Sequence, residues 1–436
     1  MSEQDATLDK FVDDKDQSDW STEKLDSLLT ELLTGNRPTG GGHDEGEYIS
    51  IGGTQINSEG YIDLHDLVYI PEEYFEKVSD TQLQRHDILM VKDGANTGDV
   101  AIAWEDWPDI VTNEHVMTLR LSSDVNPPYT FYYLLSHEGW KQLKGTITGS
   151  AQEGINKSFA GKVDIIYPPL EDQRKIASVL YTVDQAIQKT EETINKMKRI
   201  GQGLRQTLFT EGYYDHDTEL VGTLGKVPVD WETTRLRHIA DVSRGKFTHR
   251  PRNDPEFYGG QYPFIQTGEV VEATGQLTNY SQTLNEKGKD VSKEFEPGTI
   301  IITIAGNIGD TAIATFPVYF PDSLVGITPE ENVDEYFLEH FLRYRQPFLN
   351  RLSTKTTQKN LNLSLLRPIE VVKPPLDEQK KIAAVLSDVD TQIRKESEYK
   401  ARLQRLKQGL MQDLLSGEVR THDKDIELVD DVLQHA

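Results

Sequence analysis

Two stretches of the chain carry apolar residues at the three- and four-residue spacing of an amphipathic helix. One begins at Pro168 and the other at Pro374, and neither contains a proline after its opening Pro-Pro pair. Proline suits the residues just before a helix, and the acids that follow it favour the positive end of the helix dipole. The pattern therefore predicts two helices of about 37 residues, each roughly 55 Å long at 1.5 Å per residue.

The apolar stripes of these two helices are close to a heptad repeat. Their predicted core positions, the spacer-helix core, are Ile176, Leu180, Val183, Ile187, Leu204, Ile382, Leu386, Val389, Ile393 and Leu410. The stripes also include Val179, Ile194, Met197, Ile200, Leu208, Val385, Leu403, Leu406 and Leu414. Because the segment between the helices returns the chain, we expect them to pack against each other as an antiparallel coiled coil.

The two helical stretches are copies of one segment. At an offset of 206 residues, PPLEDQRKIASVLYTVDQAIQK aligns with PPLDEQKKIAAVLSDVDTQIRK, and 20 of the 41 pairs up to Leu208 over Leu414 are identical. At a shifted offset, NTGDVAIA from Asn96 resembles NIGDTAIA from Asn307, and the tail repeats ELV at Glu427. Each half is thus a globular stretch followed by the repeated helix, which predicts a pseudo-two-fold arrangement.

Outside the helices, short apolar runs bounded by Gly, Asp and Pro predict β-strands. These runs cover residues 87–92, 99–104, 299–304 and 311–316, and short helices are predicted at 129–137 and 335–344. The expected fold class is α+β, with two mixed α/β modules joined by the two long helices.

Composition excludes several kinds of chemistry. The 436 residues contain no cysteine, and the 11 histidines are scattered without close ligand spacing, so disulfides, zinc sites and a cysteine nucleophile are not expected. Neither a signal peptide nor an apolar run long enough to span a membrane is found, which predicts a cytoplasmic protein.

The charge balance is strongly acidic, with 72 Asp and Glu against 46 Lys and Arg and a net charge of -26. Such acidity argues against DNA binding, unless the protein works in a salt-rich, halophilic cytoplasm where a carboxylate surface aids solubility. Two windows run against the average: residues 235–252 carry six bases and one acid, and residues 343–367 carry six bases and no acid. A polyanion facing these windows explains them, and local helix pairing or chance are the alternatives.

Two patterns typical of catalysis each have a structural alternative. The box Asn126-Pro127-Pro128-Tyr129 matches the NPPY motif of adenine-N6 methyltransferases, but it also suits a proline-initiated helix start. The chain has neither a glycine-rich cofactor loop nor a GxxxxGK[ST] phosphate loop. A nuclease pattern can be drawn from Asp322, Glu378 and Lys380, although the last two lie at a predicted helix start.

Candidate DNA contacts lie in turns and uncharged polar stretches. The paired turns at Asn96 and Asn307 join predicted strands, and an Asn amide in such a turn can also bond adenine. Residues 145–158, 353–364 and 244–253 combine polar side chains with cations suited to phosphate. The predicted DNA-binding residues are Asn96, Thr97, Thr148, Ser150, Gln152, Asn156, Lys157, Arg244, Lys246, Thr248, Arg250, Arg252, Asn307, Lys355, Thr356, Gln358 and Lys359.

The repeated segments resemble those of the specificity subunit of type I restriction-modification enzymes. The resemblance covers nearly the whole chain, with its core in PPLEDQRKIASVL and PPLDEQKKIAAVL and in the helix ends at residues 203–209 and 409–415. It implies two target recognition domains, each reading half of a split, asymmetric DNA sequence, and two helices that act as a spacer. The extreme acidity is a departure from that family's expected electrostatics.

The resemblance also implies the domain plan and the partners. The plan is a first recognition domain at 1–166 with an acidic leader at 1–18, a spacer helix at 167–212, a second recognition domain at 213–372, a second spacer helix at 373–417, and a tail at 418–436. The partners implied are double-stranded DNA, two methyltransferase subunits and restriction subunits. The chain itself is expected to be non-catalytic and to hold no cofactor, with S-adenosylmethionine, ATP and Mg on the partners.

Two other functions stay open on the sequence alone. One is a self-contained adenine-N6 methyltransferase or a nuclease-fused protein. The other is an orphan binding or interaction module without a working complex. A neighbouring gene for a methyltransferase with its own cofactor loop would favour the specificity subunit over both.

Overall fold

The computed structural model describes residues 20–36, 41–148, 154–353 and 360–433. The first half contains β1 (Ser21–Lys24), α1 (Leu25–Leu28), β2 (Leu29–Thr34), β3 (Tyr48–Ile51), β4 (Val68–Ile70), α2 (Glu72–Lys77), β5 (Gln82–Leu83), β6 (Ile88–Val91), β7 (Val100–Ile102), β8 (Trp107–Thr112), β9 (Val116–Leu121), α3 (Pro127–Leu135), α4 (His137–Gly145), β10 (Asp164–Tyr167) and α5 (Leu170–Glu211).

The second half begins after the first long helix. It contains β11 (Thr218–Val221), β12 (Gly225–Pro228), β13 (Glu232–Arg235), β14 (Ala240–Arg244), β15 (Tyr258–Phe264), α6 (Thr267–Glu272), β16 (Gly275–Leu277), β17 (Gln282–Leu284), α7 (Glu286–Asp290), β18 (Glu294–Phe295), β19 (Ile300–Thr303), β20 (Thr311–Ala314), β21 (Val318–Tyr319), β22 (Leu324–Pro329), α8 (Glu335–Tyr344), α9 (Gln346–Ser353), α10 (Leu363–Leu366), β23 (Glu370–Lys373), α11 (Leu376–Leu415) and α12 (Asp430–Leu433).

The chain divides into two compact units. The first unit comprises Met1–Gln188 with Ala401–Ala436, and the second comprises Lys189–Lys400. Both boundaries fall inside the long helices, so each unit holds one part of α5 and one part of α11. The domain plan predicted from the sequence instead treats each long helix as a region of its own.

Each unit contains the same succession of sheets. The first has a four-stranded sheet of order β2-β9-β6-β7, a second of order β4-β3-β8-β5, and the pair β1-β10. The second unit has β14-β22-β19-β20-β16, then β17-β15-β21-β18, and the pair β13-β23, with the hairpin β11-β12 in addition. The duplication seen in the repeated helices therefore extends to the strand order of the modules.

The strands and helices predicted from local patterns are confirmed. Strands β6, β7, β19 and β20 lie inside the four predicted runs, and α8 has the predicted bounds Glu335–Tyr344. The helix predicted at 129–137 begins two residues earlier, at Pro127, and ends at Leu135, after which α4 follows at once. Ser136 causes this division because it accepts a hydrogen bond from the Gly139 amide and caps α4.

The repeated Pro-Pro-Leu-x-x-Gln segment fastens each long helix to its module. Gln173 and Gln379 are fully buried. The Gln173 side chain accepts a bond of 2.8 Å from the Asn126 amide and donates one to the Pro168 carbonyl. Gln379 does the same with the Asp334 amide at 2.9 Å and the Pro374 carbonyl. The long helices α5 and α11 thus begin where the sequence predicts, each tied to the start of a module helix.

The residues of the predicted spacer-helix core are all buried or half-buried. Buried members are Ile176, Leu180, Ile187, Ile382, Leu386 and Ile393, and half-buried members are Val183, Leu204, Val389 and Leu410. In the first unit, Ile176 and Leu180 share a core with Met411 and Leu414 of α11 and with the module itself. The stripe thus packs against the module as well as the other helix. Ile200 and Leu406 depart from the prediction, since their side chains are 57% and 51% exposed.

Both long helices also bury a carboxylate at the same position of the repeat. Asp184 accepts hydrogen bonds from the hydroxyls of Tyr132 and Tyr61 at 2.8 and 3.1 Å, and Lys407 contacts it at 2.6 Å. Burial and this carboxylate together raise the pKa of Tyr61 far above its usual value. The carboxylate is therefore fully partnered by the first unit.

The tail after α11 belongs to the first unit. Val432 is fully buried, and its carbonyl accepts a bond of 2.8 Å from Asn126. Asp431 receives hydrogen bonds from Arg85 and Tyr181 at 2.8 and 2.7 Å. The tail thus completes the core of the module at the beginning of the chain. Within the described residues, no helix has the length and apolar character needed to cross a membrane.

Candidate nucleic-acid interface

The cations predicted to contact DNA in the second unit lie on one loop, residues 244–253, which we call the basic loop. It leaves β14 at Arg244 and passes so close to the backbone of residues 320 and 321 that only glycine fits at position 245. A Cβ there would lie 2.3 Å from the Pro321 carbonyl oxygen. The side chains of Arg244, Lys246, Thr248, Arg250 and Arg252 are exposed.

The basic loop is hydrogen-bonded to a second basic segment that the sequence pattern did not reveal. The Thr248 amide donates to the Val291 carbonyl at 3.1 Å. The adjoining residues Lys287, Lys289 and Lys293 thereby come beside the loop, and Lys293 donates to the Ser243 hydroxyl at 2.7 Å. The basic loop and these three lysines, which together we call the basic face, are thus connected by hydrogen bonds, and Lys287 is itself paired with Glu256. The close spacing of these lysines in the sequence was an available signal. The sequence did not indicate, however, that they would lie beside the basic loop.

Two arginines of the basic loop share a single carboxylate. Arg252 forms a short ion pair with Asp322, and Arg250 lies 3.7 Å from the other oxygen of the same carboxyl group. All three side chains are about half exposed. Asp322 therefore neutralises part of the positive charge of the basic loop, and the pairing shows that these two arginines can bind an anion.

The second basic window has a different role from the first. Arg343 is paired with Glu339 and Asp390, and Arg345 is buried with a bond of 2.7 Å to the Thr223 carbonyl. The polyanion interpretation is therefore wrong for Arg343 and Arg345, whose cations the fold itself uses. Arg367 donates to the Val242 carbonyl at 2.7 Å. The predicted contacts Lys355, Thr356, Gln358 and Lys359 lie outside the described residues.

The turns at Asn96 and Asn307 join strands, as predicted from the sequence. Gly98 and Gly309 adopt φ of 90° and 86°, which favours glycine at both positions. Asn96 donates to the Gly53 and Ile56 carbonyls at 3.0 and 3.3 Å. The Thr97 hydroxyl donates to the Gly94 carbonyl and is buried, whereas Asn307 is exposed. A DNA contact by these three residues stays a prediction, and the protons of Asn96 already have partners.

The polar stretch of the first unit is described only at its ends. Thr148 and Gly154 exchange two backbone hydrogen bonds of 3.0 and 3.1 Å, and Thr148 is exposed. Asn156 accepts from the Ser158 amide at 3.0 Å, and Lys157 donates to the Leu32 carbonyl at 2.8 Å. Ser150 and Gln152 lie outside the described residues.

The residues of the two patterns typical of catalysis have structural roles in the fold. Asn126 is the N-cap of α3, accepts from the Tyr129 amide at 3.0 Å, and is fully buried together with Tyr129. Glu378 accepts from Trp231 at 3.0 Å and contacts His216 at 2.9 Å, while Asp322 pairs with the basic loop. Neither the methyltransferase box nor the carboxylates of the nuclease pattern are arranged for catalysis.

Among the described residues, one group of His and carboxylate side chains has the spacing of metal ligands, namely Glu339, His340 and Asp390. All three are buried. Arg343 bonds both carboxylates and Arg205 bonds Asp390 at 3.0 Å, so their negative charge is already matched. Burial lowers the pKa of His340 to about 3 and keeps it neutral. The group is a buried ion-pair network rather than a good cation site.

Comparison with known proteins identifies the family. The family model for the type I restriction modification DNA specificity domain matches residues 17–199 and again residues 228–405. The chain therefore belongs to the type I restriction-modification DNA specificity family, which confirms the resemblance noted from its repeated segments.

Curated relatives and a solved structure agree with this assignment. The chain is 28% identical over 408 residues to the putative type I restriction enzyme MjaX specificity subunit of Methanocaldococcus jannaschii, covering 92% of this chain and 94% of that one. It is 26% identical over 381 residues to the MjaVIII specificity subunit of the same organism, covering 83% and 87%. A type I restriction-modification S subunit from M. genitalium has the same fold, with a TM-score of 0.60 at 16% identity, over 92% of this chain and 97% of that one.

Proposed function

We propose that this chain is the DNA-reading subunit of a type I restriction-modification complex and that each of its two modules reads one half of a bipartite, asymmetric site. The observation that carries the proposal is the double match of the specificity domain, once in each half of the chain. The basic face of the second unit supports it, because cations concentrate there in a chain of net charge -26.

The two long helices act in this proposal as an antiparallel coiled-coil spacer with a pseudo-two-fold relation between the halves. Contacts inside each unit support the antiparallel direction, since residue numbers rise along α5 as they fall along α11. In the first unit Asp184 meets Lys407 at 2.6 Å, and in the second Glu191 meets Lys400 at 2.6 Å. Half-sites read by two linked modules are expected about one helical turn of DNA apart.

The chain is proposed to position catalysis rather than to perform it. Its partners would be double-stranded DNA, two adenine-N6 methyltransferase subunits, and restriction subunits, which would carry S-adenosylmethionine, ATP and Mg. The relatives are named as specificity subunits, which supports a non-catalytic role. The burial of Asn126 and Tyr129 disfavours the alternative of a self-contained methyltransferase. An orphan module without partners remains the second candidate.

We further propose that the protein works in the cytoplasm of a halophilic host. The support is the sequence pI of about 4.8, which matches a surface kept in solution by carboxylates at high salt. The recognition domains proposed are residues 1–166 and 213–372, with spacer helices at 167–212 and 373–417, the acidic leader at 1–18 and the tail at 418–436.

Methylation mapping tests the proposal directly. N6-methyladenine is mapped across the host genome by single-molecule sequencing, with and without the gene for this chain. We expect one two-part motif to lose its methylation on deletion and to regain it when the gene is returned on a plasmid. Unchanged methylation, together with no methyltransferase copurifying with the tagged chain, would refute the proposal and favour the orphan module.

A further inference from the structure

A small pocket opens at the foot of the basic loop in the second unit. Its volume is about 160 Å³, and Arg252 and Asn253 of the loop lie on its rim. The pocket therefore adjoins the cations that we propose to contact phosphate. A base-reading role for this pocket rests on the proposed function of the chain.

The floor of the pocket is aromatic. Phe247, Tyr258 and Phe264 lie with ring centroids 5.3 to 5.9 Å from one another. Phe247 and Phe264 are almost completely buried, at 2% and 1% exposure. Phe247 and Phe264 carry no hydrogen-bonding group, and the Tyr258 hydroxyl already donates to the Arg252 carbonyl, so a methyl group or another small apolar group suits the floor.

A positioned amide stands beside this floor. Gln282 is the cross-strand neighbour of Phe264 in the β15-β17 pair and is exposed. Gln266 donates to the Gln282 Oε1 atom at 3.0 Å, which fixes the orientation of the Gln282 amide. Within the part of the chain that the structure describes, the Gln282 Nε2 protons have no acceptor. The pocket thus presents an apolar surface next to a hydrogen-bond donor.

Thymine is the base whose major-groove edge matches this pair of groups. It carries a C5-methyl group beside the O4 acceptor, whereas cytosine carries an amino donor and no methyl. We propose that this pocket is a thymine-reading site of the second module, with the methyl group on the aromatic floor and O4 accepting from Gln282 Nε2. Gln282 is then a specificity-determining residue, and Gln266 is the positioning residue that orients it.

Base analogues test the methyl contact with the aromatic floor and the hydrogen bond from Gln282 separately. The full chain, assembled with its methyltransferase partner, first selects its motif from randomised duplexes. Each thymine of the motif, on either strand, is then replaced in turn by uracil, 5-methylcytosine or cytosine, with the matching base opposite. At one position we expect uracil to bind about fourfold more weakly than thymine, the effect of one buried methyl group. 5-Methylcytosine should bind about tenfold more weakly, because its amino group faces the amide donor.

Substitutions at Gln282 link the position to the pocket. Gln282→Ala should abolish the preference for thymine over 5-methylcytosine while keeping the preference for thymine over uracil. Gln282→Glu should reverse the first preference, because a carboxylate accepts from a cytosine amino group. Gln261→Ala is the matched control, since Gln261 is an exposed glutamine of the paired strand β15 that bonds Tyr262 outside the pocket.

The outcomes distinguish the two levels of the proposal. If the wild-type complex selects no motif at all, the proposed function fails and the thymine site fails with it. If a motif is selected but contains no thymine, or if both Gln282 variants select the wild-type motif, only the thymine site is overturned.

Discussion

Single residues show how the duplicated halves have diverged while keeping one buried carboxylate each. Asp184 and Asp390 are aligned in the repeat, and both are nearly inaccessible. Asp184 is paired with Lys407 and accepts hydrogen bonds from two tyrosine hydroxyls, whereas Asp390 is bonded by Arg205 and Arg343 at 3.0 and 2.7 Å. Since an unpaired buried charge is strongly destabilising, each copy must supply its own partners. The aligned aspartates are therefore not interchangeable between the two halves.

The contact between His216 and Glu378 predicts a pH-dependent contribution to the stability of the second unit. The hydrogen bond with Glu378 raises the pKa of His216 in the folded chain. A raised folded-state pKa means that the stabilisation is fully present below the unfolded value of about 6.5 and is lost as pH rises through the folded value. We expect His216→Gln to remove this pH dependence, measured as the urea midpoint from pH 5 to 9 at constant KCl.

The repeat itself supplies the control for this measurement. His422 occupies the position aligned with His216, but its side chain is exposed. His422→Gln should leave the pH dependence of the urea midpoint as it is in the wild type. An equal effect of both substitutions would show that the contact between His216 and Glu378 is not the cause.

If the basic loop contacts DNA as proposed, Asp322 should limit non-specific binding, because it pairs with two arginines that phosphate would otherwise attract. We expect Asp322→Asn to strengthen binding to a non-cognate duplex more than to the cognate one. The slope of log affinity against log salt should steepen by about 0.9 for each additional phosphate that the freed arginines neutralise. Fluorescence anisotropy over a KCl series measures both quantities.

Asp241→Asn is the matched control for Asp322→Asn. It makes the same change in net charge at an exposed position of β14 that belongs to the same unit. If the two variants have equal salt slopes, net charge alone explains the effect and the specific pairing with Arg250 and Arg252 does not.

At the scale of elements, the features predicted from the sequence are those encoded locally. The starts of α5 and α11 follow from Pro-Pro and first-turn acids, and β19 and β20 follow from short apolar runs closed by a glycine turn. The features that were missed depend on distant pairing. From the sequence alone Arg343 was taken as an unpaired cation, because only the fold brings Asp390 beside it. Its i,i+4 spacing from Glu339 was nevertheless a usable signal of an ion pair.

The candidate interface could likewise be predicted from the sequence only where its residues are close together in the chain. The basic loop was found because its cations are close together in the sequence. The lysines of residues 287–293 were missed because their position depends on the hydrogen bond between Thr248 and Val291. The aromatic pocket was missed for the same reason, since Phe247, Phe264 and Gln282 come from three separate segments.

The proposed spacer role predicts how helix length sets the distance between half-sites. Deleting residues 189–195 from α5 and 395–401 from α11 removes one heptad from each and both partners of the Glu191–Lys400 ion pair. Seven residues correspond to about 10 Å of helix. At 3.4 Å per base pair, the gap in the methylated motif should shorten by about three base pairs, with both half-sites unchanged, as read by methylation mapping.

A substitution of unchanged length is the control for the heptad deletion. Lys189→Ala with Glu192→Ala removes a surface ion pair of 3.8 Å within the same stretch. The motif and its gap should then be those of the wild type. A deletion variant that methylates the original motif with the original gap would contradict the spacer role.

At the scale of the whole molecule, the charge distribution makes added salt act in opposite directions on folding stability and on DNA binding. The net charge of -26 makes the folded chain repel itself, and this repulsion weakens as ions screen it. The basic face of the second unit works in the opposite direction, because added salt weakens the attraction between cations and DNA phosphates. Stability and DNA binding should therefore respond to KCl with opposite signs.

We expect the melting temperature of the chain to rise steeply from 0.1 to about 1 M KCl and then level off, because the Debye length falls from about 10 Å to about 3 Å over that range. Calorimetry in KCl measures this rise. Sucrose at equal osmolality is the control, since it stabilises folded proteins by exclusion without screening charge. If sucrose raises the melting temperature as much as KCl does, screening of the acidic surface is not the cause, and the proposed adaptation to a salt-rich cytoplasm loses its physical basis.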